Sequence, residues 1–293
     1  MKILICDPFS KELPGKLKKF GEVTDNKTEI SNADIILVRS ATKCDCDFIK
    51  NAKNLKMIIR GGVGIDNIDT ECCKKHGIIV KNTPAASSIA VAELVFSHML
   101  CIQRNIVKSH NTTKNGEWVK KELKGRELYG KTLGIVGLGR IGSEVAKRAE
   151  AFGMNVIAYT KIALSTEHAK LVSLEEVLTK SDIITLHIPL FKETEEMINS
   201  DMIKRMKDGV IIINTARGKL INETDLAKAL KEGKVRYAGL DVYCNEPPAD
   251  SPLLKADNIL LTPHLGANTY ENMERIGDIV CELIEEFSKD QKK

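Results

Sequence analysis

Three stretches in the C-terminal half of the chain close an apolar run with an unusual polar residue. "VIIINTARG" delivers Arg217, "YAGLDVYCNEP" delivers Asp241 and Glu246, and "NILLTPHLG" delivers His264. A histidine exchanges protons near neutral pH, which suits it to take the hydroxyl proton when a secondary alcohol gives up a hydride. A neighbouring carboxylate favours the protonated imidazole that the reverse reaction needs. An arginine can fork onto a substrate carboxylate and polarise the adjoining carbonyl. Each residue also has a plain reading: Arg217 as a surface ion pair, Glu246 as a turn residue before Pro247, His264 as a loop residue after Pro263. Their shared position at strand ends favours chemistry, because ligands of doubly wound sheets bind beyond the carboxyl ends of the strands. His76, His98, His110, His168 and His187 lack that context and read as structural or solvated.

Hydride chemistry needs a carrier, and "LGIVGLGRIGSEVAKRAEAFGM" offers a place for one. Gly137, Gly139 and Gly142 form G-x-G-x-x-G directly after a strand, opening a helix whose apolar face is Ile141, Val145 and Phe152. The glycines allow a tight turn, close backbone approach to a pyrophosphate and close packing of helix on strand, and the helix N-terminal amides face the anion. In such folds the next strand usually ends in an acid that grips the adenosine ribose. Here "NVIAYTKIAL", Asn155 to Leu164, has Thr160 and Lys161 after Tyr159, and no acid before Glu167. Thr160 can bond a ribose hydroxyl or a 2'-phosphate and Lys161 can pair with the phosphate, so the cradle stands while the choice between NAD and NADP opens.

The elements that must position these residues alternate. Strand-like runs "KILIC", "DIILV", "KMIIR" and "GIIV" precede residue 81, and "LGIVG", "NVIAY", "DIITLHI", "VIIIN", "YAGLDV" and "NILLT" follow residue 130, with helical patterns between them. Unbroken apolar runs of this length fit strands buried on both faces, so the expected class is α/β with parallel sheets. "SSIAVAELVFSHMLCIQRN" is apolar on nearly every face and reads as a helix buried between layers. The polar stretch "KSHNTTKNGEWVKKELKGRELYG", with Trp118, reads as an excursion or a subunit-packing arm. Met273, Ile276, Val280, Leu283 and Phe287 mark a final amphipathic helix, and "SKDQKK" reads as a frayed tail. Two domains joined by crossing helices, with a cleft between them, are expected.

Composition sets the outer limits. The 293 residues suffice for two cores, the hydrophobic share of 43% is that of a globular protein, and no apolar run approaches a membrane span. The net charge of +4 is dispersed, which speaks against nucleic acid as a partner. The N-terminus reads as a first strand and not as a signal peptide, so the eight cysteines are expected to be free thiols in a reducing, cytoplasmic setting. "CDC" at Cys44 to Cys46 and the pair Cys72, Cys73 lack zinc-ligand spacing, and no metal is expected.

"GLGRIG", "NTARG", "LDVYCNEPP" and "LTPHLGANT" stand in the order and spacing of the D-isomer-specific 2-hydroxyacid dehydrogenases, which the chain resembles over essentially its whole length. In the N-terminal half, "VRSATK", "IIRGGVGIDNIDT", "KNTPAASSIAVAEL" and "GRELYGKTLGIVGLGRIG" are most similar to the D-3-phosphoglycerate dehydrogenase branch. The resemblance implies a Rossmann cofactor domain, 97–267, inserted in a flavodoxin-like substrate domain, 1–96 with a returning helix at 268–293. It implies Arg217 as substrate-orienting residue, Glu246 as the histidine's partner and His264 as acid/base. Cofactor contacts are implied at Gly137, Gly139, Arg140, Ile141, Gly142, Thr160, Thr215, Ala216, Asp241, His264 and Gly266. Substrate contacts are implied at Arg39, Arg60, Gly62, Val63 and Gly64, the arginines taking a phosphorylated anion and the loop amides its carboxylate.

The expected reaction is hydride transfer between NAD, with NADP tolerated, and a small anionic 2-hydroxy or 2-oxo acid, foremost 3-phosphoglycerate. Glyoxylate or hydroxypyruvate reduction is the alternative, and a corepressor-like cofactor-sensing protein is the reading from another class. The resemblance also implies a homodimer pairing near residues 84–125. Relatives often add a C-terminal regulatory domain, and the chain is expected to lack it because it stops after the returning helix.

Overall fold

The computed structural model describes residues 1–161 and 166–291. Two compact units emerge, Met1–Ser87 with Ala267–Lys293, and Ser88–Gly266. The first boundary falls ahead of the expected 96/97 because the long helix beginning at Ser88 packs on elements of the second unit.

The first unit is built on strands β1 (Lys2–Ile5), β2 (Glu22–Thr24), β3 (Ile35–Val38), β4 (Met57–Arg60) and β5 (Ile79–Asn82). All pair in parallel in the order β2-β1-β3-β4-β5, the flavodoxin-like arrangement. Every residue of β3 is buried, as its unbroken apolar run requires at the sheet centre. On one face lie α1 (Leu13–Leu17) and α10 (Tyr270–Asp290), whose Ile276, Val280, Ile284 and Phe287 close over Ile3, Ile35, Leu37 and Ile59. On the other lie α2 (Cys46–Asn51) and α3 (Thr70–Lys75), each started by an aspartate, Asp45 or Asp69, whose side chain accepts from a first-turn amide. The helix α10 continues through Asp290, with Ser288 Oγ on the Ile284 carbonyl and Lys289 paired to Glu285. The expected fraying of "SKDQKK" is therefore corrected up to Asp290, and its last two residues lie outside the described residues.

The cysteine expectation also needs correction. Cys46 and Cys72 are disulfide-bonded, with Cα atoms 5.6 Å apart, whereas Cys6, Cys44, Cys73, Cys101, Cys244 and Cys281 are free thiols. A sequence separation of 26 hides the pair. It forms because the segment before α2 runs parallel to the segment before α3, through Cys44 opposite Ile68. The Asp69 carboxylate lies within 4.8 Å of both sulfurs, which are joined to each other.

The second unit holds β6 (Thr132–Val136), β7 (Asn155–Tyr159), β8 (Lys170–Leu171), β9 (Ile183–Leu186), β10 (Val210–Asn214), β11 (Val235–Leu240) and β12 (Ile259–Leu261). They form one parallel sheet in the order β12-β11-β10-β9-β6-β7-β8, the doubly wound Rossmann order with a strand added at one edge. Helices α4 (Ser88–Gln103), α5 (Ile106–Lys114) and α6 (Arg140–Ala151) precede α7 (Leu174–Lys180), α8 (Ser200–Arg205) and α9 (Glu223–Glu232). The α4 helix is buried against α6, β10 and β11, as its all-round apolar surface predicts. The strand expected in "NVIAYTKIAL" ends at Tyr159, and its last three residues, 162–164, lie outside the described residues. Trp118 is exposed, and no described helix is long and apolar enough to cross a membrane.

Candidate active site

In the second unit the strand order reverses between β6 and β9, which puts the ligand crevice of a doubly wound sheet beyond the ends of these two strands. Gly137 follows β6 with φ of 100°, and its N–H bonds the Tyr159 carbonyl at 2.8 Å. A Cβ there would run into the carbonyl of His187, just past β9. A Cβ at Gly142 would overlap the Gly137 carbonyl, so this glycine lets α6 sit close on its strand. Gly139 caps α6 and has open space where a side chain would be. Crowding at the first and third glycines and openness at the second fit a backbone cradle that leaves the helix N-terminus to an anion. At the mouth, Arg140 is exposed and Ile141 is half-buried. Thr160 is half-buried and follows the residue whose carbonyl Gly137 engages, so it stands at the β7 end of the same edge, with Lys161 exposed beside it.

At the end of β10, the Asn214 side chain folds the turn that carries the arginine. Its Nδ2 donates to the Arg217 carbonyl at 2.8 Å and its Oδ1 accepts from Ala216 N at 3.0 Å. Thr215 Oγ1 is buried with no partner among the described residues, as expected of a group that meets a ligand. The half-buried Arg217 donates from Nη1 to the Ala216 carbonyl at 2.6 Å. Gly218 allows this turn to pass against Tyr243, whose backbone a Cβ would strike.

Beyond β11 and β12 the acid and the histidine meet. His264 Nδ1 and Glu246 Oε2 are 2.7 Å apart, and Glu246 Oε1 accepts from Tyr243 N at 3.3 Å. Burial pulls the Glu246 carboxyl up, but the bond to His264, the charges of His264 and Arg217 and the Tyr243 amide outweigh it, leaving the group below its usual range. An ionised Glu246 accepts only, so Nδ1 carries a proton and Nε2 is left for exchange with a substrate. His264 sits at φ of 54°, a left-handed conformation that costs a non-glycine residue energy and persists only where its surroundings enforce it.

Asp241, expected at the cofactor, also supplies that enforcement. It is buried, and its Oδ1 accepts from Thr262 Oγ1 at 2.6 Å and Leu265 N at 2.7 Å. Its Oδ2 accepts from Gly266 N at 2.8 Å, and its own carbonyl accepts from His264 N at 2.9 Å. The carboxylate thus clamps the loop on either side of His264, and Gly266 serves that clamp through its amide. His187, read from the sequence as structural or solvated, lies just past β9 against the first glycine of the crevice. Its Nε2 is 2.9 Å from Thr185 Oγ1, and burial pushes it down to about 3, so it is neutral. Its only signal is its position directly after the strand run "DIITL".

The first unit has its own strand-order reversal, between β1 and β3. Arg39 follows β3, with its N–H on Asp7 Oδ2 at 2.6 Å, and Thr42 donates to both Asp7 oxygens. The Arg39 guanidinium reaches the Pro8 carbonyl from Nη1 at 3.3 Å, while its buried Nε has no partner among the described residues. Arg60 ends β4. Gly62, at φ of 145°, leaves the space through which the Arg60 guanidinium passes. The Gly62 amide, expected to face a substrate carboxylate, donates instead to Thr83 Oγ1 at 2.8 Å. Val63 and Gly64 therefore carry the loop's candidate amides.

The sequence profile described as "D-isomer specific 2-hydroxyacid dehydrogenase, NAD binding domain" matches residues 96–266, most of the chain's length. The chain belongs to the D-isomer-specific 2-hydroxyacid dehydrogenase family. It is 47% identical, over 97% of its length, to the D-3-phosphoglycerate dehydrogenase of Methanocaldococcus jannaschii, and spans 57% of that relative. It is 46% identical, over 99% of its length, to the hydroxypyruvate reductase of Thermotoga maritima and spans 98% of it. Among solved structures it is similar to D-lactate dehydrogenase from Aquifex aeolicus complexed with NAD and lactic acid, with a TM-score of 0.87 and 32% identity over 99% of this chain and 96% of that one. The second unit is thus the family's NAD-binding domain, and the glycine cradle and buried Thr215 hydroxyl fit a dinucleotide.

Proposed function

We propose that the chain interconverts a D-2-hydroxy acid and its 2-oxo acid, foremost 3-phosphoglycerate and 3-phosphohydroxypyruvate. The observation that carries this reading is the His264–Glu246 pair at 2.7 Å, held at the strand ends of an NAD-binding fold near the charge of Arg217. Bound cofactor supplies a nicotinamide that accepts or returns the hydride. In oxidation His264 Nε2 takes the hydroxyl proton, and Glu246 stabilises the resulting imidazolium through Nδ1–H. Arg217 holds the substrate carboxylate and polarises the oxygen that becomes the carbonyl. In reduction His264 returns the proton. The amides of Val63 and Gly64 serve the substrate carboxylate, and Arg39 and Arg60 serve a phosphate, which suits a phosphorylated three-carbon acid. A homodimer completes the proposal, supported by the exposed Ile106, Val107 and Trp118 within the 84–125 stretch, and a cytoplasmic setting belongs to the same reading.

The test is a panel of 3-phosphohydroxypyruvate, hydroxypyruvate, glyoxylate and pyruvate with NADH and NADPH. His264→Ala is expected to lower kcat/KM by more than about a hundredfold, the usual contribution of a general acid/base. Near-full activity in that variant would remove His264 from its role. Hydroxypyruvate reduction is the second reading, favoured by a relative of that name matched along 98% of its length. Arg39→Ala separates the two. It should raise KM about tenfold or more for the phosphorylated acid, with little change for the others.

A further inference from the structure

We propose that His98 is a positioning residue for His264, acting through Thr262 and Asp241. This inference rests on the reading of His264 as acid/base. His98 lies on α4, buried in the second unit and far from the strand-end motifs in sequence. Its Nε2 is 3.1 Å from Thr262 Oγ1, which lies 2.6 Å from Asp241 Oδ1. The same carboxylate receives the amides of Leu265 and Gly266, immediately after His264. An unbroken chain of polar contacts therefore runs from α4 to both sides of a residue held at φ of 54°.

The direction of each proton follows from what each atom can do. The Asp241 oxygens already accept two backbone amides, so the single Thr262 hydroxyl proton points to Oδ1. Thr262 Oγ1 then has only lone pairs to offer, and His98 Nε2 must be the donor. That makes His98 the neutral Nε2–H tautomer and leaves Nδ1 a bare lone pair. Nδ1 is buried without a partner among the described residues, a tolerable place for a lone pair and a costly one for an N–H. Burial pushes the imidazole down against the pull of Asp241, in keeping with a neutral ring. Gly239 of β11 makes room for it, since a Cβ would stand 3.1 Å from Nδ1. Without the His98 donor the Thr262 hydroxyl is free to turn, and the clamp on the His264 loop loses its third support.

The experiment measures NADH-dependent turnover of the same 2-oxo acid panel in wild type, His98→Leu, His98→Gln, Thr262→Val and the double variant His98→Leu/Thr262→Val. Histidine-selective 15N NMR of the cofactor-free protein accompanies it. His98→Leu keeps bulk but removes the donor, and should lower kcat about tenfold while KM stays within about twofold. His98→Gln places an amide donor near Nε2 and should restore most of the loss, and the double variant should be no worse than Thr262→Val alone. The NMR should show His98 as the Nε2–H tautomer, with the His264 ring signals shifted in His98→Leu and not in His98→Gln. The proposal falls if kcat in His98→Leu stays within about twofold of wild type, or if the Leu and Gln variants lose equally. It also falls if His98 carries its proton on Nδ1 or if the His264 signals do not move. Failure of wild type to turn over any acid would instead overturn the functional reading, and the NMR would still decide the contact.

Discussion

The two sheets begin alike and end differently. In the first unit Asp34, just before β3, accepts the Lys2 amide that opens β1 at 2.8 Å and pairs with Lys56 before β4. In the second, Asp182, just before β9, accepts the Thr132 amide that opens β6 at 2.8 Å and pairs with Lys207 before β10. The same carboxylate device thus pins the amino-terminal edge of both sheets. At the carboxyl edge they diverge. After β1 the chain places Asp7, buried and bonded to the amides of Arg39 and Thr42, in its own strand-order reversal. After β6 it places glycines, and no side chain caps the N-terminus of α6. One crevice is filled by the protein's own carboxylate while the other is left for a ligand's anion, which explains why only the second unit has the features of a dinucleotide site.

The largest expected effect breaks the open crevice. Gly142→Val would drive a side chain into the Gly137 carbonyl and push α6 off β6. NADH affinity should fall by about a hundredfold or more, since both the cradle and the helix N-terminus move. Gly62→Ala is the counterpart in the first unit. Its strained φ of 145° and its approach to the Arg60 guanidinium should raise the substrate KM and leave NADH affinity within about twofold. NADH fluorescence titration of both variants checks the contrast, and equal losses of NADH affinity would erase it.

Opening the filled crevice comes next. Asp7→Ala would leave the Arg39 and Thr42 amides and the Thr42 hydroxyl without their acceptor, at a cost of about 3 kcal/mol in the first unit. Urea unfolding should show that loss, with NADH binding by folded protein unchanged.

The shared device predicts a shared response to acid. Burial raises Asp34 and Asp182, but the backbone N–H each accepts and the lysine each pairs with hold both below the ordinary aspartate range. Their folded pKa values are depressed, so the stability they add is present above the unfolded value near 3.9 and is lost as pH falls through the folded value. Asp34→Asn should cost about 1–2 kcal/mol at neutral pH and flatten the loss below about pH 4. Asp182→Asn should cost less, because its side chain is 35% exposed and solvent screens it. Urea midpoints between pH 3 and 7 would decide this, and equal acid slopes in wild type and both variants would remove the device from the acid response.

What the sequence discloses follows from range. Strands such as β3 and β10 are covered on both faces and so read as apolar runs, whereas β2, "EVT", and β8, "KL", are short edges with exposed residues and leave no pattern. Arg217 and His264 are legible because each sits a few residues past such a run, and Glu246 because it lies in the polar turn that follows β11. The clamping role of Asp241, the use of the Gly62 amide by Thr83 and the contact of His98 with Thr262 are not legible. They join residues 21 to 164 positions apart, and no local period records a long-range hydrogen bond.

The smallest expected effect sharpens the comparison at a single side chain. The open crevice has no acid at the end of β7, where Thr160 follows Tyr159, while the filled crevice has its acid at the end of β1. Thr160→Asp would put a carboxylate where the adenosine ribose is expected. It would accept from the 2'-hydroxyl of NADH and repel the 2'-phosphate of NADPH. The ratio of kcat/KM for NADH over NADPH should rise about fivefold or more, since a charge-assisted hydrogen bond is gained and a like-charge contact is introduced. Lys161→Ala would lower NADPH use alone if that ammonium meets the phosphate. An unchanged ratio in Thr160→Asp would place the ribose elsewhere. Cofactor preference would then have to come from the cradle itself and not from the end of the second strand.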